Sequence, residues 1–293
     1  MRAAVLDVGS NTVRLLIATE ASRGLKTIHI EGVHLGLALD IERDGQISEP
    51  KLAEAHALAA RYAKVARDHR VGRLEVVVTA PGRQSANAGA LVEALSAGSS
   101  APVRILSAEE EGSLAYAGAV GALTSPPESV AICDVGGGST QLLAGTPAGP
   151  AWMRPLDVGS LRLTTRSLRS DPPTALELDG ARAEAEAAFD SITPPLVATV
   201  LAMGGSARAV RKLAGRKLGP EELGRILELA VSAPSQVLAR EHGLQPARAR
   251  TLAAGTLILS EAQHRFGVPL RVVREGVREG AILALLSRAE VAA

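Results

Sequence analysis

Cysteine is almost absent from this chain: Cys133 is the only one in 293 residues, which excludes an intrachain disulfide and any multi-thiolate zinc site. Lying in an apolar run directly before Asp134, it reads as a small core residue. Aromatic side chains are nearly as scarce. Tyr62, Tyr116, Trp152, Phe189 and Phe266 make up 2% of the residues and are widely scattered, too few to build the stacking platforms that single-stranded nucleic acid requires. Lysine is rare beside arginine, 5 against 27. Arginine suits bidentate phosphate contacts, although in so alanine-rich a sequence genomic base composition is the simpler cause. With a net charge of +1 the surface is not broadly basic, so nucleic acid is disfavoured and any polyanion must be gripped by a local cluster. The histidines show neither HExxH nor HxH spacing, which argues against a histidine-rich metal site. No apolar stretch reaches the ~18 residues of a membrane span, and Asp7 interrupts the first apolar run too early for a signal peptide. A soluble cytoplasmic protein without a membrane partner is the expectation.

What the sequence does contain is an internal repeat. Asp7-Val8-Gly9-Ser10-Asn11-Thr12-Val13-Arg14-Leu15-Leu16 recurs without a gap as Asp134-Val135-Gly136-Gly137-Gly138-Ser139-Thr140-Gln141-Leu142-Leu143. Each copy follows a short apolar run and leads into another, the pattern of strand, glycine turn and returning strand. Such a hairpin offers one acid and a nest of backbone N–H groups, which suits a metal-bound phosphate chain. Neither copy has the Lys-Ser/Thr of a P-loop or the following helix of a dinucleotide fingerprint. The glycines permit positive φ and close approach to an anion. An ordinary glycine hairpin would explain either copy alone; two matching copies favour function.

Around these hairpins the periodicity predicts two α/β lobes. In the first, strands Ala3–Leu6, Val13–Ala18, Thr27–Ile30 and Val33–Leu39 precede a helix from Ser48-Glu49-Pro50 to about Arg70. A buried strand Leu74–Thr79, a helix from Asn87 to Leu95, a strand Val103–Leu106 and a helix Ala108–Val120 complete it. Thr124–Glu128, with two prolines, marks the boundary. The second lobe is predicted as hairpin Val130–Ala144, strands Met153–Leu156, Ala198–Met203 and Leu270–Val273, and helices Gly159–Leu168, Thr174–Phe189, Pro220–Leu229 and Ala247–Phe266. A last helix starts near Val277.

Several segments carry chemistry. In Ser107-Ala108-Glu109-Glu110-Glu111, Ser107 and Glu110 form a capping box, which leaves Glu111 as the candidate general base. Arg83 follows the buried strand, where α/β sheets place ligand residues, and could clamp a phosphoryl oxygen. Gly204-Gly205-Ser206 opens a helix after a strand, so its N–H groups could hold a further phosphate. Arg208, Arg211, Lys212, Arg216 and Lys217 follow; a basic helix is usually a solvated face. Leu156-Asp157-Val158-Gly159-Ser160 repeats Leu6–Ser10 letter for letter, yet it lacks the glycine cluster and reads as a helix start with Asp157 or Gly159 near the cap. No catalytic role is assigned to Asp157.

Taken in order, Asp7–Thr12, Thr79–Asn87, Ser107–Gly118, Asp134–Leu143, Gly159–Thr164, Ser170–Thr174, Gly204–Ala207 and Arg274–Gly280 resemble the exopolyphosphatase/guanosine pentaphosphate phosphohydrolase (Ppx/GppA) family, in its short two-domain form. The resemblance implies two ribonuclease-H-like lobes of the sugar kinase–actin–chaperone ATPase superfold with a cleft between them. These would be residues 1–123 and 124–276, with a last helix 277–293 packed back on the first lobe. By position it implies that Asp7 and Asp134 help hold Mg²⁺ (or Mn²⁺), that Glu111 deprotonates the attacking water, and that Arg83 contacts phosphate. Gly9, Ser10, Asn11, Thr12, Gly136, Gly137, Gly138, Ser139 and Thr140 would cradle phosphate, with Gly204, Gly205 and Ser206 on the second lobe. Gln141 stands where the family usually has glutamate, so its contribution to the metal would be indirect. Thr79-Ala80-Pro81-Gly82-Arg83 keeps the arginine but changes the usual loop. The activity implied is exopolyphosphatase: Mg²⁺-assisted release of orthophosphate from the ends of inorganic polyphosphate. Hydrolysis of guanosine pentaphosphate is the alternative substrate reading. A non-catalytic sensor of polyphosphate or guanosine tetraphosphate is the alternative class, and a sugar-kinase-like phosphotransferase a weaker one. A homodimer is implied by the family alone.

Overall fold

The structure, a computed structural model, describes residues 1–22 and 24–290. It divides into two compact units, Met1–Thr124 with Glu275–Ala293, and Ser125–Arg274.

The first unit opens with β1 (Arg2–Val8), β2 (Thr12–Glu20) and β3 (Leu25–His34), followed by α1 (Leu37–Asp44), α2 (Glu49–Asp68), β4 (Arg73–Val78), α3 (Ala80–Gln84), α4 (Ala88–Ser99), β5 (Val103–Ile105) and α5 (Ala108–Gly121). The second holds β6 (Val130–Val135), β7 (Thr140–Thr146), β8 (Gly149–Leu156), α6 (Ser160–Ser167), α7 (Ala175–Phe189), β9 (Thr199–Met203), α8 (Gly204–Ala214), β10 (Lys217–Leu218), α9 (Pro220–Ser232), α10 (Ser235–His242), α11 (Pro246–Arg250), α12 (Leu252–Phe266) and β11 (Leu270–Val272). The last helix, α13 (Val277–Glu290), belongs to the first unit and packs on α5.

The two sheets share one plan. The first runs β3-β2-β1-β4-β5, and five strands of the second run β8-β7-β6-β9-β11, with β10 added at the edge. In each, the leading three strands are antiparallel and the later ones join in parallel. This is the ribonuclease-H-like plan that the family resemblance implies, built once in each unit.

Alternation along β1 decides what each face meets. Ala4, Leu6 and Val8 pack with Leu58 and Tyr62 of α2 and Leu91 and Leu95 of α4. Ala3 and Val5 face the other way, onto Ala281, Ile282 and Leu285 of α13. Each large side chain so buried contributes about 1.5–3 kcal/mol. Asp7 has the parity of Ala3 and Val5 and therefore emerges on the α13 side.

Three expectations are corrected. Thr27–Ile30 and Val33 belong to one strand, and the chain leaves it at His34: Gly36 takes φ 70° and α1 begins where a strand to Leu39 was predicted. The helix predicted over Ala247–Phe266 is two, α11 and α12, separated at Thr251, whose hydroxyl donates back to the carbonyl of Ala247 at 3.1 Å. Finally, Gly9, Gly136, Gly137 and Gly138 all keep negative or extended φ. Their lack of a side chain serves close approach instead: a Cβ on Gly136 would lie 2.9 Å from the carbonyl oxygen of Ser139.

Candidate active site

Both copies of the repeat fold as β-hairpins, and their turns close alike. Gly9 N–H donates to Thr12 O and Gly136 N–H to Ser139 O, each at 3.0 Å. Each loop is then braced by the start of a later helix. Ser10 O accepts from Ala38 at 2.8 Å, and Asn11 O from Leu35 and Gly36 at 2.9 and 3.1 Å, all at the entry to α1. Likewise Gly136 O accepts from Ser160, and Gly137 O from Leu161 and Arg162, at 2.9–3.0 Å from the first turn of α6. Because the carbonyls face these helices, the peptide N–H groups of Ser10, Asn11, Gly137 and Gly138 are left without a partner among the described residues. A pair of adjacent unpartnered amides is the raw material of an anion nest. The exposed Ser139 hydroxyl stands beside the second pair.

Hydroxyl parity corrects the phosphate set. Thr140, the first residue of β7, is fully buried, and its hydroxyl donates to Val158 O at 2.7 Å. Ser206 is 5% exposed, and its side chain packs against Gly255 of α12. Neither hydroxyl is presented to a ligand, which narrows the expectation at Ser206 to its backbone N–H at the start of α8. Gly204 does approach the acid of the second hairpin. It bridges to Val135 at φ +89°, and a Cβ there would lie 2.6 Å from Asp134 Oδ1. Gly205 is covered by the guanidinium of Arg248, which a Cβ would overlap at 2.1 Å.

In the first unit the candidate base and the candidate clamp are bonded to one another. Arg83, in the short α3, donates to Leu106 O at 2.7 Å and to Glu111 Oε2 at 2.8 Å. Glu111 sits in the first turn of α5, where the capping box is present: Ser107 Oγ accepts from Glu110 N–H at 3.0 Å and Glu110 Oε2 from Ser107 N–H at 2.8 Å. Glu110 is further occupied by Arg104 at 2.8 Å. Its structural role, and the freedom of Glu111 from it, follow from that pairing.

Asp7 completes this cluster. Burial pushes its carboxyl up to about 6; Arg278 draws it down, Glu111 pushes it up, Arg14 draws it down and Glu279 pushes it up. Arg14 lies directly across the hairpin from Asp7, a neighbour readable from the repeat. Arg278, 8% exposed on α13, lies within the Arg274–Gly280 segment of the resemblance but was given no role of its own, since only the tertiary return of α13 brings it to Asp7. In the second hairpin the residue opposite Asp134 is Gln141. It shares Asp134's face, between the buried Thr140 and Leu142, so it does not point into the core.

Among the described residues no group of three or more His, Cys, Asp or Glu side chains could cage a metal. Single carboxylates such as Asp7 and Asp134 still match the ordinary habit of Mg²⁺, which takes one or two carboxylates, water and substrate phosphate oxygens.

The model of the Ppx/GppA phosphatase family matches residues 16–289. Exopolyphosphatase 2 of Mycobacterium tuberculosis is 31% identical over 230 residues, 73% of this chain and 70% of that protein. A crystal structure of the Aquifex aeolicus Ppx/GppA family member superposes with a TM-score of 0.90 at 25% identity, covering 99% of this chain and 98% of the other. An exopolyphosphatase from Cytophaga hutchinsonii, 18% identical with a TM-score of 0.84 over 98% of both chains, shares the fold.

Proposed function

The chain belongs to the Ppx/GppA phosphatase family, and we propose that it is an exopolyphosphatase, a phosphoanhydride hydrolase that releases orthophosphate from the ends of inorganic polyphosphate. The observation that carries this reading is the Arg83–Glu111 pair. A carboxylate at the start of α5 is held 2.8 Å from a guanidinium that is itself anchored to Leu106 O. In the proposed reaction the terminal phosphoryl group replaces Glu111 as the partner of Arg83, in bidentate contact. Glu111, released, takes a proton from water as it attacks the terminal phosphorus. The bridging P–O bond breaks, orthophosphate leaves, and the shortened chain keeps the bridging oxygen. The unpartnered amides of Ser10, Asn11, Gly137 and Gly138 would hold phosphate oxygens. Asp7 and Asp134 would hold Mg²⁺ or Mn²⁺, which when bound neutralises charge on the transferring group. Polyphosphate is preferred to guanosine pentaphosphate because repeated anion contacts suffice for it, whereas a base asks for stacking aromatics that this chain scarcely has.

The test is a substrate panel of long-chain polyphosphate and guanosine pentaphosphate, with Mg²⁺, Mn²⁺ or EDTA, scoring orthophosphate. Release from polyphosphate with either metal and none in EDTA supports the reading. Release from guanosine pentaphosphate alone would reassign the substrate, and binding without release would make the protein a sensor. A cytoplasmic homodimer completes the proposal. No helix among the described residues is long and apolar enough to cross a membrane, and sedimentation in solution tests the dimer.

A further inference from the structure

Arg162 occupies the first turn of α6, the end of a helix where a cation opposes the macrodipole. Local helix energetics therefore do not explain it. Its position follows from the brace described above. Gly159 sits so close under the second glycine loop that a Cβ would lie 2.5 Å from Gly137 O and from Ser139 N, and this seating brings the first turn of α6 against the loop. Arg162 Nη2 then lies 3.9 Å from where a Cβ of Gly138 would be, beside the unpartnered Gly137 and Gly138 amides. The guanidinium is paired through Nη1 with the carboxylate of Asp157, whose side chain is 81% exposed. An ion pair with so solvated a partner contributes little and is readily exchanged. A phosphate on the loop would offer the same guanidinium an anionic, bidentate partner.

We propose that Arg162 is a substrate-binding residue, gripping the phosphate chain seated on the Gly137 and Gly138 amides. Asp157 is its positioning residue, holding the guanidinium at the loop before substrate arrives. The Leu156–Ser160 copy of the repeat thus serves the site by bracing the loop and delivering this arginine. The inference rests on the reading that the loop binds a polyanionic phosphoanhydride.

Steady-state hydrolysis of long-chain polyphosphate by R162Q, R162K, D157N and R162Q/D157N tests it, together with calorimetric binding of tripolyphosphate in EDTA. R162Q should raise KM and weaken tripolyphosphate binding by about tenfold, the usual loss for a charged hydrogen-bonded contact. Its kcat should stay within about twofold, since the contact is made equally before and during reaction. R162K should recover part of the loss. D157N should shift KM in the wild-type background and not in R162Q. A D157N shift of equal size in both backgrounds would reduce Asp157 to a general charge effect and overturn its positioning role. Unchanged KM and binding in R162Q, with R83Q impaired on polyphosphate, would overturn the role of Arg162 and leave the phosphatase reading standing. If the wild-type protein releases no orthophosphate and binds no tripolyphosphate, that reading falls as well.

Discussion

At neutral pH the ionised carboxylate of Asp7 is tolerated by the folded protein at a cost. Its carboxyl, raised by burial to about 6 from an ordinary 3.8, loses its proton in the unfolded chain first. Between about pH 4 and 6 the unfolded state therefore binds fewer protons, and this residue makes the fold less stable as pH rises, with no further change above that window. Asp7→Asn should be more stable than the wild type at pH 8 by about 1–3 kcal/mol and indistinguishable near pH 3. Urea titrations in EDTA at the two pH values measure it, and equal stability at pH 8 would remove the burial cost. Glu111→Gln should lose on the order of 10²–10⁴ in turnover while still binding tripolyphosphate. Glu110→Gln should instead cost about 1 kcal/mol of stability through the cap. Equal losses of activity would show that the base has been misassigned. Gln141 faces Asp134 across the ladder, so Gln141→Glu sets two carboxylates side by side. It should lower the melting temperature in EDTA and recover it with added Mg²⁺, at a lower half-saturating concentration than the wild type needs. Glu111, Arg83 and the acids of the repeat could be named from sequence because they stand in motifs. The bond between Glu111 and Arg83 could not, because 28 residues separate the partners. Thr140 was misjudged because a hydroxyl beside a glycine loop says nothing of the face on which strand parity places it.

Elements were legible where their signals were local. The capping box at Ser107, the proline at the start of α2 and the glycine turns fixed the positions of α5, α2 and both hairpins. What failed was short or context-dependent: α1 follows a strand with no cap side chain of its own, and α3 spans five residues. The return of α13 to the first unit was implied by the family resemblance, but its close crossing with α5 was hidden, since that depends on glycines far apart in sequence. A Cβ on Gly280 would lie 1.9 Å from Leu114 O, and one on Gly118 would lie 2.1 Å from Gly276 O. Backbone cannot yield as a flexible side chain does, so Gly280→Ala must push α13 off α5 and disturb the core formed with Val5, Leu16 and Ile282. The expected cost is about 3 kcal/mol, the upper range of overpacking. Activity should fall with it, because Arg278, two residues away on the same helix, is the stronger of the two charges, with Arg14, that draw the Asp7 carboxyl down. Melting temperature and polyphosphate hydrolysis on that variant check both. A protein of wild-type stability would mean that α13 is not held by this crossing.

For the whole molecule, one plan has been used twice: a hairpin with an acid at the end of its first strand, a loop whose carbonyls are tied to a later helix, and parallel strands beyond. The sequence revealed the hairpins as a repeat of ten residues. It hid the braces, because α1 and α6 share no motif and act only through backbone N–H groups. If each acid helps to hold Mg²⁺, as proposed, Asp7→Asn and Asp134→Asn should each raise the Mg²⁺ concentration for half-maximal hydrolysis, by about tenfold. A carboxylate gives the ion a full negative charge and a strong oxygen donor, where the amide offers only a dipole. Mg²⁺ titrations of the wild type and the two single variants at fixed polyphosphate measure the shift. Unchanged half-saturation in both variants would show that the acids of the repeat are structural, and would leave each hairpin as a phosphate loop in its own unit.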